Sequence, residues 1–140
     1  RDVVAPLTPE QLRLQSAPHM WPVQQLAQHI IGVRAGWFSG TMQDEDAAMS
    51  AYMEWGQRNS PARSGEELAR ALDETWAFIE ERLQRWTPED YAQTFPDELD
   101  GEVFQLPRSW IVYHVLEHDL HHGGELSMTL GMHGVPALDL

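Results

Sequence analysis

Apolar residues recur along this chain at helical rather than strand spacing. Val23, Leu26, Ile30, Val33 and Trp37 form one stripe and predict a helix over about residues 22–38. A weaker pattern of Met49, Tyr52 and Met53 predicts a second helix over 44–57, closed by a loop at Asn59, Ser60, Pro61 and Gly65. Ser64, with Glu67 three residues on, reads as a capping box. It opens the clearest helix, 65–86, whose stripe is Leu68, Leu72, Trp76, Ile79, Leu83 and Trp86. The last helix spans about 107–130 and ends at Gly131, Gly134 and Pro136. Thr8-Pro9-Glu10 and Thr87-Pro88-Glu89-Asp90 each set a hydroxyl cap before a proline, so each opens a short helical turn. The stretch 96–106 reads as a polar, glycine-containing connector. Val103–Leu106 is the best strand candidate and too short to pair with anything evident. The expectation is an all-α bundle in one domain, 1–140, with the stripes around Leu26, Leu72 and Val115 converging on one core.

Composition narrows the partners. Nine basic residues face 22 acidic ones, a formal charge of -13. A nucleic-acid binder needs a basic face to displace phosphate counterions, and an anionic membrane surface makes the same demand. Neither partner is expected. No apolar run approaches the ~20 residues that span a bilayer, so the expected location is the cytoplasm. The chain holds no cysteine, which excludes disulfides, thiolate metal ligands and a cysteine nucleophile. A transition metal would have to use imidazole and carboxylate.

Histidine supplies the candidate chemistry. His114, His118, His121 and His122 lie within nine positions of the last helix. Residues four apart share a helix face, so both His118/His122 and His114/His118 can chelate one ion without bending the helix. His29 lies beside Leu26 and Val33 on its own stripe and points inward, a candidate third ligand from another helix. A lone inward histidine is more often a hydrogen-bonded core residue than a ligand. Four imidazoles stacked on one helix shift the balance, because histidine is a mediocre helix former.

The run His114-Val115-Leu116-Glu117-His118-Asp119-Leu120-His121-His122-Gly123-Gly124-Glu125-Leu126 resembles the last-helix signature of DinB-like proteins. In that family an inward His-x-x-x-His pair precedes a small residue or Arg, then Gly, then Gln or Glu. Trp21, followed by Leu26 and His29, resembles the family's earlier segment. The likeness extends from about Leu7 to Leu140. It implies a four-helix bundle with an open three-histidine metal site whose ligands are His29, His118 and His122, with His114 and His121 as neighbours. It also implies a divalent transition metal, with Zn or Ni first and Fe or Mn next, and a place among metal-dependent transferases and isomerases that use low-molecular-weight thiols. Two departures stand out. Gly123 replaces the Arg of many relatives, and only six residues precede Leu7 where the family usually has a full helix. The first helix is therefore expected to be truncated or missing, with a second copy of the chain, or a segment upstream of Arg1, covering the apolar surface left open.

Three functions follow as alternatives. In the first, the chain is an enzyme acting on a small molecule, with Glu125 as its candidate catalytic residue. Glu125 shares the face of His118 and His122, and could be a fourth ligand, a partner to a ligating histidine or a general base; the bland alternative is a solvated carboxylate. Any thiol must then come from a diffusible cosubstrate. In the second, the metal is structural or vestigial. In the third, the tryptophan-rich bundle is an interaction module.

Overall fold

The structure, a computed structural model, describes residues 1–44 and 46–137. The last three positions of the expected 1–140 domain lie outside the described residues. The chain runs through α1 (Pro9–Leu12), α2 (Val23–Ala35), a π-helical extension of α2 (Gly36–Thr41), α3 (Ala47–Ala51), a 3-10 turn (Met53–Gly56), α4 (Gly65–Arg85), α5 (Pro88–Ala92), strands β1 (Thr94–Leu99) and β2 (Glu102–Pro107), and α6 (Arg108–Met132).

The local signals act where they stand. Ser64 Oγ accepts from the Glu67 backbone N–H, and Glu67 reaches back to the Ser64 backbone, so α4 starts from a reciprocal cap. Thr8 with Gln11 and Thr87 with Asp90 do the same for α1 and α5. The helix that starts near residue 22 does not end at 38. Met42 N–H bonds Trp37 O at 2.9 Å, one residue wider than an α-turn, and carries the helix through Gly36 and Gly40. The helix expected over 44–57 is broken: α3 is one short turn, capped by Asp46, and a 3-10 turn follows. Among the described residues three helices are long, where four had been expected.

The all-α expectation is also corrected. β1 and β2 form an antiparallel hairpin, Phe95 opposite Leu106 and Asp97 opposite Phe104. Its turn is Asp100-Gly101, both residues at positive φ (53° and 80°), as a two-residue primed turn demands. The Asp-Gly pair was the signal available in the sequence. It was obscured because Pro96 and four acidic residues around it remove the usual strand alternation, and most of the hairpin is exposed.

The expected single core is two clusters. Val4, Leu7 and Leu12 from the N-terminal segment join Leu26, Ile31, Leu68, Leu126 and Leu130 in one. Phe38, Met49, Phe78, Phe95, Ile111 and Val115 form the other. α2 and α6 run antiparallel through both, since Leu26 shares one cluster with Leu126 and Ala35 shares the other with Ile111. α4 presents Leu68, Ala71, Thr75, Phe78 and Ile79 inward, and Trp76 of the expected stripe is 37% exposed. The middle turns of α2 and α6, between the two clusters, are where polar groups collect.

Candidate metal centre

His29 on α2 and His118 and His122 on α6 meet at this junction. Each offers a nitrogen within 4.8 Å of the others', and all three rings are half-buried. Nε2 of His29 lies 3.0 Å from Nε2 of His118. Two nitrogens bound to one ion at about 2.1 Å, about 90° apart, would stand about 3.0 Å from each other. A neutral donor set of three imidazoles at this spacing fits a divalent transition ion.

The electrostatics favour the unprotonated form of His118 and His29. Burial, then the neighbouring His122, His29, His114 and His121, pushes His118 down to about 3. Burial and His122 also lower His29, against a backbone hydrogen bond with Gly56 that pulls the other way. A ligating imidazole must be neutral, and here desolvation makes it so.

Glu125 sits one turn beyond His122. The Nδ1–H of His122 donates to Glu125 Oε2 at 2.7 Å. In the neutral ring such a bond uses the Nδ1 proton and leaves Nε2 as the ligating nitrogen, the usual way a carboxylate orients a ligating histidine. Glu125 Oε1 lies 3.6 Å from His121 Nε2. Glu125 is thus brought to the cluster, in contact with a histidine, with its side chain 26% exposed. His121 is exposed, and His114 turns away from the cluster, stacked on Trp110 with ring centroids 5.0 Å apart. Trp21 walls the cluster, edge-on to His29 at 4.8 Å and stacked on His122 at 6.0 Å.

A cavity of about 240 Å³ opens against His122 and Glu125, with Met20, Trp21, Leu26 and Met128 as apolar walls. Apolar walls around a few converging polar groups are the usual form of a small-molecule site. A second recess touches His29 from the other side, between Trp37, Met53 and Asp97.

One group beside the site was missed. Arg34, on α2, bonds Asp119 Oδ2 of α6 through Nε (2.9 Å), and its Nη1 bonds Leu72 O and Thr75 Oγ1 of α4. A single guanidinium ties the three long helices together next to His118. An arginine on a helix with no other Lys, Arg, Asp or Glu was the available signal; its partner lies 85 positions away and carried none.

A mostly helical fold with three histidines set between its long helices defines a helical-bundle protein with a candidate metal site. The chain belongs to the DinB superfamily, whose family model matches residues 1–126, a span containing all three histidines and Glu125. A DinB-like protein from Bacillus cereus has a similar solved structure, with a TM-score of 0.74 at 21% identity, covering 99% of this chain and 86% of that one. No curated protein matches the sequence.

Proposed function

We infer that the chain is a metal-dependent transferase or isomerase that joins a small thiol to a small electrophile. The observation that carries this reading is the cluster of three imidazoles at the edge of an apolar cavity, with Glu125 lining the same cavity. His29, His118 and His122 would hold the ion, and three protein ligands leave coordination vacant. A divalent ion there supplies Lewis acidity that favours the deprotonated form of a thiol at neutral pH. Zn and Ni are the first ions to test, then Fe and Mn.

This chain's residues supply the rest. Without cysteine it has no sulfur nucleophile of its own, so the thiol is a cosubstrate, a kind abundant in reduced form in the cytoplasm. Met20, Trp21 and Met128 bind the apolar body of the electrophile and exclude water. Glu125 takes the thiol proton as sulfur bonds to carbon, and the displaced group departs with its electron pair. In isomerisation the thiol adds across a carbon–carbon double bond, the resulting single bond rotates, and loss of the same thiol restores the double bond in the other geometry.

The test is metal analysis of protein purified without nickel resin, followed by thiol-transfer assays of wild type, His118→Ala and His122→Ala. Expected are one ion per chain in wild type and turnover that disappears with the ion in both variants. An ion retained with no turnover of any electrophile by any common thiol would replace this reading with a structural metal.

A further inference from the structure

One histidine beside the metal cluster has no role in it. His121 is 64% exposed and takes no part in the three-histidine set. At about 100° per residue, Glu125 falls between His121 and His122 on the surface of α6, four positions from one and three from the other. His121, His122 and Glu125 each bring a ligand atom within 4.8 Å of the others'.

The two oxygens of Glu125 are divided between the histidines. Oε2 accepts the Nδ1–H of His122 at 2.7 Å. Oε1 faces Nε2 of His121 at 3.6 Å, too long for a hydrogen bond. Two ligand atoms 3.6 Å apart and each about 2.1 Å from one ion subtend about 118° at it, close to the tetrahedral angle. The bond from His122 already fixes the carboxylate, so little side-chain freedom is lost when an ion enters the gap. A comparable pair on the same helix lacks that support. Glu117, 3.5 Å from His114, is 58% exposed, and among the described residues no hydrogen bond holds its carboxylate. The chain's charge of -13 draws cations to its surface.

We propose that His121 and Glu125 form a second divalent-cation site, weaker than the three-histidine site, whose filling inhibits turnover. One imidazole and one carboxylate oxygen are both ordinary zinc ligands, and water completes the coordination. With two protein ligands instead of three, the site binds at least about tenfold more weakly than the first. Its effect on turnover rests on the catalytic reading above. Because Oε2 is engaged by His122, Oε1 is the oxygen left to take the thiol proton. A cation on Oε1 favours the ionised carboxylate and makes it a poorer base. Zinc therefore activates at low concentration, through His29, His118 and His122, and inhibits at higher concentration, through His121 and Glu125.

Equilibrium dialysis of chelator-treated protein against buffered free zinc tests the site, with turnover measured on the same samples. Wild type should take up one ion and then a second at higher free zinc, and turnover should rise with the first and fall with the second. His121→Ala should stop at one ion and escape the inhibition. Glu125→Gln keeps an oxygen for His122 but loses the charge, and should also stop at one. His114→Ala should still take two, which separates this site from zinc scattered over exposed histidines. A wild type that saturates at one ion throughout the micromolar range overturns the proposal. So does a second ion that survives His121→Ala, that is lost in His114→Ala, or that fills without lowering turnover. The ion counts need no turnover, so they decide the site even if the thiol chemistry fails. A protein that binds no zinc at all overturns the three-histidine reading and this proposal together.

Discussion

Nε2 of His29 and Nε2 of His118 stand 3.0 Å apart across the packing of α2 on α6. Two imidazoles held this close, half out of water, cannot both be protonated without strong repulsion, so the cluster resists acid.

That resistance has a cost in stability. An unfolded chain protonates His118 near its ordinary value of 6.5, while the folded metal-free protein holds out to about 3. Between those values the unfolded state binds more protons, so stability rises with pH across the window and falls as pH drops below about 6.5. His29 is lowered as well and adds in the same direction. Urea midpoints of chelator-treated protein should decline from neutral pH toward pH ~4, and His118→Phe should flatten the decline. A midpoint independent of pH in that range would contradict the burial of these rings.

Glu125 holds His122 through a 2.7 Å hydrogen bond and also lines the cavity. Glu125→Ala should weaken metal binding by about 10- to 100-fold, the usual loss when a ligating histidine loses its orienting partner. Glu125→Gln keeps an amide oxygen for the Nδ1–H and should lose less. If Glu125 also accepts the thiol proton, both variants lose turnover even when fully metallated. Chelator competition separates the first role from the second.

Arg34 and Asp119 form an ion pair whose side chains are 11% and 15% exposed. Arg34→Met should destabilise the protein by about 3–5 kcal/mol, because Asp119 is left buried without its cation. Arg34→Met combined with Asp119→Asn should recover part of that loss. Denaturant unfolding of the two variants measures both effects.

Gly32 packs against the backbone of Gly56, the residue whose backbone also hydrogen-bonds His29. A Cβ at Gly32 would lie 2.3 Å from Gly56 N. Gly32→Ala should force the 3-10 turn away from α2 at a cost of about 1–3 kcal/mol, and should weaken metal binding although no ligand is changed. Thermal melts and chelator competition on the same preparation would show the two losses together.

Much of this architecture is local and was legible. Ser64 with Glu67, Thr87 with Asp90 and Thr8 with Gln11 act through hydrogen bonds spanning three residues, so sequence alone determines them. The sharing of a face by His118 and His122 follows from helix pitch, and the inward direction of His29 from its neighbours Leu26 and Val33. Other features belong to the tertiary structure, because they depend on how α2 is set against α6. The antiparallel packing decides that His29 meets His118, and that Arg34 reaches Asp119. The bond from Glu125 to His122 depends on side-chain rotamers, which spacing left open among ligand, orienting partner and base. The cavity beside them is built from Met20 and Trp21 at one end of the chain and Met128 at the other. The division of the apolar stripes into two clusters is equally non-local, since each cluster draws its residues from α2 or its extension, α4 and α6 together.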